Sequence, residues 1–481
     1  MKLRKLKNKF KKLKIFSVLI GIVLLISIYL NSFLLIKYNV LPLKFLIIYF
    51  IFVGIIPFTL VYFTVFKRIK KLVKNILLGI EVFYIIILLI VFFYLNSTFN
   101  FVENFTGNFD YETKNYYVLA KKQANYNDIK DLKNKNIGFA KNLDTSIEHA
   151  LEKLDEKVKL NHKEYDGLSE LIDSLENDEI ESILIIDSFY DMLNESEEET
   201  KISDTTKIVY KFSIKEKIED ISKEVDVTKE AFNVYISAID SYGNVTDNTR
   251  SDVNMVISVN PKTNKLLMIN IPRDYFVKLA KYNEYDKLTH AGFYGVETSI
   301  KTIENLLDTE INYYARVNYS ALIGLVDALG GVDVYSEYDF TSGYYLVHFN
   351  KGYNKVNGLE ALEFVRTRKA FLQGDRVRGE NQQRMIEAII KKASNPSILL
   401  KYDNILKSLD GSFSTNISTE NIMNLINFQL DKMPSWNTET ISLDGSDSYQ
   451  ITYTDKSREL YVMIPNEETV ENAKLALQNN K

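Results

Sequence analysis

The sequence predicts an α/β protein on a membrane anchor: a mostly parallel or mixed sheet with helices on both faces, a smaller α/β unit before it, and three apolar helices at the N-terminus. Three observations predict this. Residues 15–36, 45–66 and 76–95 each come close to the ~20 apolar residues that cross a bilayer as helix. Beyond them, short apolar runs alternate with stretches of helical period. Two of those runs are joined by Asn260-Pro261-Lys262-Thr263-Asn264, a turn sequence of the kind that links strands.

The first apolar run is too long for a signal-peptide core and lacks a small-residue cleavage site. Two more runs follow, so anchoring is expected. Lys2, Arg4, Lys5, Lys7, Lys9, Lys11, Lys12 and Lys14 precede the first span, and Lys67-Arg68-Ile69-Lys70-Lys71-Leu72-Val73-Lys74 separates the second from the third. The loop between spans one and two carries only Lys37 and Lys44. Basic loops stay in the cytoplasm. The tail of residues 1–14 and the second loop are therefore expected inside, and everything after residue 95 outside. Glu81 is expected near the headgroups, and residues 96–109 read as a short polar linker.

An accessory α/β domain is expected over residues 110–215. Strands are expected at 116–120, 137–140, 183–187 and 208–214, and helices at 145–154 and 168–175. The stretch 131–138 loosely resembles one lobe of an extracellular solute-binding protein. A small accessory unit without its own ligand is the expectation. The larger domain spans residues 226–481. Its expected strands are 232–239, 253–259, 266–271 and 332–334, with helices at 296–307, 319–329 and 378–392.

Composition removes several function classes. A formal net charge of -4 over 481 residues does not suggest a nucleic-acid partner. There is no cysteine, hence no disulfide and no thiolate metal site. The histidines His149, His162, His290 and His348 lack metal-ligand spacing. No Gly-x-Ser-x-Gly, P-loop or His-Glu-x-x-His sequence occurs.

Arginine usage carries more. The chain prefers lysine, yet Arg250, Arg273, Arg316, Arg366, Arg368, Arg376, Arg378 and Arg384 gather in one stretch of the larger domain. The planar guanidinium fork grips two phosphate oxygens at once, which an ammonium cannot do. Solvated salt bridges are the bland alternative; the clustering favours an anion site. Asp240 ends one expected strand and Asp252 begins the next. Two hard carboxylates meeting at strand ends suit Mg²⁺.

The motifs then become specific. Ile239-Asp240-Ser241-Tyr242-Gly243, Arg250-Ser251-Asp252, Ile271-Pro272-Arg273-Asp274 and Asp286-Lys287-Leu288-Thr289-His290-Ala291 occur in order. They are followed by Ala328-Leu329-Gly330-Gly331-Val332-Asp333-Val334, Val365-Arg366-Thr367-Arg368 and the run from Gly374-Asp375-Arg376 to Gln382-Gln383-Arg384. Together, over residues 230–395, they resemble the LytR-CpsA-Psr family, and the three spans with an accessory unit resemble its CpsA branch. The resemblance implies an αβα sandwich with an apolar tunnel for a polyprenyl tail. It implies a phosphotransferase that moves a glycopolymer, capsular or teichoic-acid-like, from undecaprenyl diphosphate to a peptidoglycan hydroxyl with Mg²⁺ at the diphosphate. Carried over by motif, Asp240 and Asp252 hold the metal. Arg250, Arg273, Arg366 and Arg378 bind the diphosphate with Lys287 and Gln382, and Asp375 orients the arginines or takes the acceptor's proton. Arg368 and Arg376 are read as structural partners. Expected partners are the lipid-linked polymer and the wall acceptor, with capsule regulatory proteins as a further candidate. A polyprenyl-diphosphate phosphatase and a non-catalytic sensor of lipid-linked sugars stay open as alternatives.

Overall fold

A computed structural model describes residues 2–107, 111–144, 146–195, 201–217, 220–239, 245, 249–372, 374–395, 402–456 and 458–481. They fall into two units, residues 1–105 with 418–435, and residues 106–417 with 436–481.

In the first unit, α1 (Lys2–Lys37), α2 (Leu43–Phe66) and α3 (Lys71–Gly107) are all long and apolar enough to cross a membrane. Ile20, Leu24, Leu78, Ile85 and Leu88 pack between them. Polar groups are also buried there. Glu81 is fully buried and accepts from Thr64 Oγ1 at 2.7 Å. Asn31 Nδ2 donates to Leu88 O at 2.9 Å. Glu81 thus turns toward the neighbouring helix, where Thr64 offers a partner, because an unpaired carboxylate in hydrocarbon is costly. The expected linker at 96–109 is also corrected, since α3 continues to Gly107. Phe99 and Val102 are buried there, and Phe99 stacks on Tyr38 with ring centroids 3.9 Å apart. Apolar residues at helical spacing outweigh Asn96-Ser97-Thr98.

The second unit contains two main sheets. The smaller has β1 (Tyr111–Lys121), β2 (Asn136–Ala140), β3 (Asn161–Tyr165), β4 (Ser182–Ile186) and β5 (Thr206–Lys217) in the order β3-β2-β4-β1-β5. Helices α4 (Ile147–Asp155), α5 (Leu168–Glu176) and α6 (Asp187–Glu195) accompany it. Here Ile137, Leu171, Leu154 and Leu119 lie in the core.

The larger sheet is built on the hairpins of β6 (Phe232–Ala238), β7 (Val253–Asn260) and β8 (Lys265–Ile271). After them come β9 (Phe276–Lys278), β10 (Tyr285–Lys287), α7 (Val296–Leu307), β11 (Tyr313–Val317) and α8 (Tyr319–Leu329). The chain continues through β12 (Val332–Ser336), β13 (Phe340–Thr341), β14 (His348–Phe349), β15 (Gly352–Val356), α9 (Gly358–Arg366), α10 (Gly374–Ala393) and α11 (Tyr402–Leu409). It closes with β16 (Phe413–Thr415), α12 (Thr419–Lys432, part of the first unit), β17 (Asn437–Ser442), β18 (Gly445–Ile451), β19 (Glu459–Pro465) and α13 (Glu467–Asn479). The sheet order is β16-β11-β6-β7-β8-β17. Only β11 on β6 and β17 on β8 pair in parallel, so the sheet is mixed rather than mostly parallel. The connection of residues 261–264 is of hairpin length and makes β7 and β8 antiparallel neighbours, while β6 and β7 pair antiparallel across the longer connection of residues 239–252.

Alternation gives the two faces. Tyr235, Val256, Leu267 and Ile269 pack with Ile300, Ile303 and Leu307 of α7 and Ala473 and Leu477 of α13. Met255, Ile257, Leu266 and Met268 point the other way, onto Ile386 and Ile390 of α10. Helices on both faces of one sheet make an αβα sandwich. Leu267 is fully buried at its centre; Leu267→Ala is expected to lower stability by about 2–5 kcal/mol, measured by chemical denaturation of the detergent-solubilised protein.

Candidate diphosphate site at the strand ends

Because β6 and β8 run one way and β7 the other, one edge of the sheet collects the end of β6, the start of β7 and the end of β8. Asp252 N donates to Ala238 O at 2.8 Å, closing that edge. Behind it lies a buried polar knot. Ser251 Oγ is 2.8 Å from Ser237 Oγ and 3.1 Å from Tyr235 OH, and Tyr235 OH donates to Asn254 Oδ1 at 2.6 Å. The knot fixes the backbone between Arg250 and Asp252. The proposed metal ligand Asp240 lies outside the described residues.

A string of charges runs along this edge. Arg273 Nη1 donates to Asp252 Oδ1, and Arg273 Nε lies 3.6 Å from Asp274 Oδ2. Lys287 Nζ sits 3.2 Å from Asp274 Oδ1. All four side chains are between 10% and 19% exposed, so each needs the next. Burial pushes the Asp274 carboxyl up, but Arg273 and Lys287 outweigh it and hold the group below its usual range. The segment Leu288–Tyr294 backs the string. Thr289 N donates to Arg273 O at 2.8 Å, and Ser251 N donates to Thr289 O at 3.2 Å. A Cβ on Gly292 would overlap Thr249 O, so only glycine allows the loop carrying Arg250 to lie this close.

Helix α10 supplies the opposite wall. Asp375, Arg378 and Gln382 follow a helical spacing that puts them on one face. Arg378 Nη2 lies 3.3 Å from Asp375 Oδ2, and Gln382 Nε2 donates to Val365 O at 3.4 Å, tying α10 to the end of α9. Gly379 lets the helix approach β8, since a Cβ there would overlap the Asn270 amide. At the end of α9, the Arg366 guanidinium stacks 4.0 Å from the Tyr344 ring centroid. Arg376 turns elsewhere, to Asp444 Oδ1 at 2.5 Å and Gly445 O at 3.1 Å.

Tyr461 of β19 joins the two walls. Its ring lies 5.9 Å from Lys287 Nζ, and its hydroxyl donates to Asp447 Oδ1 at 2.9 Å. Burial raises its phenol, as do the carboxylates of Asp447, Asp274 and Asp375. Asp375 and Asp274 thus act on one side chain from opposite walls. The sheet edge carries Asp252, Arg273, Asp274 and Lys287, and α10, which packs on β8 at Gly379, carries Asp375 and Arg378. Arg250 sits beside the edge on the 249–251 loop, and Arg366 and Gln382 at the α9–α10 junction. Sequence reasoning assigned no role to Asp274 or Tyr461. Asp274 stands within the quoted Ile271–Asp274 motif, but its importance shows only through partners distant in the chain. Tyr461 had no local signal.

Asp252 offers hard carboxylate oxygen, and among the described residues no group of three or more His, Cys, Asp or Glu side chains could hold a metal by itself. Asp252 is one hard oxygen donor of the kind Mg²⁺ takes, and its Oδ1 is engaged by Arg273.

The LytR_cpsA_psr family model matches residues 186–474. The chain belongs to the LytR-CpsA-Psr family. Among curated relatives, the polyisoprenyl-teichoic acid–peptidoglycan teichoic acid transferase TagU of Bacillus subtilis is 35% identical over 205 residues, 42% of this chain and 66% of that protein, just under two thirds of its length. TagU of Bacillus cereus is 33% identical over 228 residues, covering 47% of this chain and 74% of that one. Among solved structures, TagT bound to LIIa-WTA is 30% identical and covers 54% of this chain and 93% of that one, with a TM-score of 0.43.

The depressed Asp274 carboxyl makes a LytR-CpsA-Psr site of this kind sensitive to acid. Its pairing stabilises the fold fully above the unfolded value of about 3.9 and fades as pH falls through the lower folded value. Asp274→Asn is expected to unfold before wild type at about pH 7, with the two midpoints converging below about pH 4; denaturation midpoints across that range check it.

Proposed function

We propose that the chain is a membrane-anchored phosphotransferase that moves a glycopolymer from a polyprenyl diphosphate to a peptidoglycan hydroxyl. The observation that carries the reading is the largely buried string Asp252–Arg273–Asp274–Lys287 at the sheet edge, with the Arg378–Asp375 pair on the adjoining α10. Its guanidinium groups, with Arg250 and Arg366 in addition, offer planar forks suited to the oxygens of a multiply charged anion. The names of the TagU relatives support a lipid-linked donor and a wall acceptor, and make a teichoic-acid-type polymer the first donor to test.

In this reading Arg250, Arg273, Arg366, Arg378 and Lys287 hold the diphosphate oxygens, and Gln382 adds a hydrogen bond. The acceptor hydroxyl attacks the sugar-side phosphorus, the bond from that phosphorus to the bridging oxygen breaks, and polyprenyl phosphate leaves. Asp375 takes the hydroxyl proton and orients Arg378. Charge spread over the phosphoryl oxygens meets guanidinium groups already in place, which removes the cost of reorganising solvent. Asp240 and Asp252 would hold Mg²⁺, which when bound supplies further neutralisation of diphosphate charge. Arg273→Lys keeps the charge but loses the two-pronged geometry, and is expected to lower kcat on the order of 10²-fold. Chelation of divalent cations is expected to abolish transfer and added Mg²⁺ to restore it. Both are measured with a lipid-linked donor and peptidoglycan; full activity of Arg273→Lys would sink the reading.

The outward orientation draws support from the lysine distribution and from α12. Within the first unit, Asn427 Nδ2 donates to Asn39 O at 2.7 Å and Lys44 Nζ lies 3.3 Å from Asp431 Oδ1. The loop between spans one and two therefore shares a side of the membrane with this C-terminal segment. The chain has no native cysteine, so single cysteines map topology cleanly. Cysteines replacing Asn39 or Ser446 are expected to react with an impermeant thiol reagent on intact cells, and one replacing Lys70 only after lysis.

A further inference from the structure

The smaller sheet has no part in the reaction just described, yet its core does not stop at its own elements. Leu279, Ala291, Phe293 and Tyr294 of the larger domain lie in the same apolar cluster as the smaller sheet's buried residues. The closest join is between aromatic rings: Phe189 on α6 and Phe293 have centroids 4.6 Å apart and are 1% and 2% exposed. Ser169 Oγ donates to Asp455 Oδ1 at 2.8 Å, and Lys456 Nζ lies 3.1 Å from Asp166 Oδ1, holding the same seam from α5 and the loop before it.

Phe293 follows Gly292, whose open face receives the carbonyl of Thr249. Its ring also stacks on His290 at 5.4 Å, and His290 Nδ1 lies 2.6 Å from the buried Asp286 carboxylate. Contact thus passes from Phe189 to Phe293, through Gly292, to the backbone on either side of Arg250. A second link is electrostatic. Burial and Asp187 raise the Asp191 carboxyl on α6, while the Arg250 guanidinium pulls it back down, so the two side chains sense each other.

We propose that the accessory lobe is a brace for the diphosphate site: α6, through Phe189, presses Leu288–Tyr294 against residues 249–251 and so sets the position of the Arg250 guanidinium. This rests on reading Arg250 as a diphosphate ligand. Phe189 is then a positioning residue, and Asp191 lies within electrostatic reach of the same guanidinium. The lobe needs no ligand of its own for this role.

The test uses full-length protein and a lipid-diphosphate-linked donor, with KM and kcat taken separately. Phe189→Ala is expected to raise the donor KM on the order of tenfold with a smaller change in kcat, and Phe189→Leu to restore much of it. Asp191→Asn, a change of charge at nearly constant shape, is expected to raise the donor KM in the same direction. Ile137→Ala serves as the control, because it opens the lobe's core away from α6. It is expected to lower the melting temperature and leave KM unchanged. If Ile137→Ala shifts KM as much as Phe189→Ala, the effect is general loosening and the brace is overturned. If Phe189→Ala and Asp191→Asn both keep the wild-type KM while Arg250→Ala raises it, the brace is overturned and the diphosphate reading stands. Wild-type donor KM in Arg250→Ala overturns the reading beneath it.

Discussion

An arginine held between two aspartates at the end of a central strand, with little solvent around it, imposes conditions on everything nearby. Arg273 cannot be left unpaired there, nor can Asp252 or Asp274, because removing one partner strands a charge in a poor dielectric. The surrounding structure meets those conditions at backbone level. The polar knot under Ser251 fixes Asp252, the Leu288–Tyr294 segment bonds the Arg273 carbonyl, and Lys287 closes the far end. A group so held is oriented before any phosphate arrives, which is the arrangement electrostatic catalysis favours.

The location follows from strand direction. Antiparallel pairing of β7 with both β6 and β8 brings the end of β6, the start of β7 and the end of β8 to one edge, so residues from separate loops meet there. Two glycines then permit close approach where a side chain would intervene, Gly379 between α10 and β8 and Gly292 between the supporting segment and the Arg250 loop. The apolar layers of β7 and β8 stabilise the fold, while the edge they create carries the charges.

Sequence pattern disclosed those parts whose physics is local. The apolar spans, the continuous runs of β6 to β8 and the periodicity of α7 and α8 were readable because each buries a face defined by its own spacing. Arg250, Arg273 and Arg378 stood out against a lysine-rich background. The hairpin of β18 and β19 did not, because its outer strand, Gly445–Ile451, alternates weakly and stays largely exposed. Asp274 and Tyr461 were invisible as a pair, since nothing local says that β19 returns beside the end of β8. The family resemblance named the motif residues; it could not supply the partners that tune them.

The buried polar contacts of the anchor bear on how it is assembled. Glu81 relies on Thr64, and Asn31 on a main-chain oxygen of α3. Apolar helices in lipid can rotate and slip with small penalty, whereas helices keyed by hydrogen bonds cannot. These two contacts favour one rotational register of the three helices over others. The third helix kept without the second would lose the Thr64 hydroxyl and leave the Glu81 carboxylate without that partner.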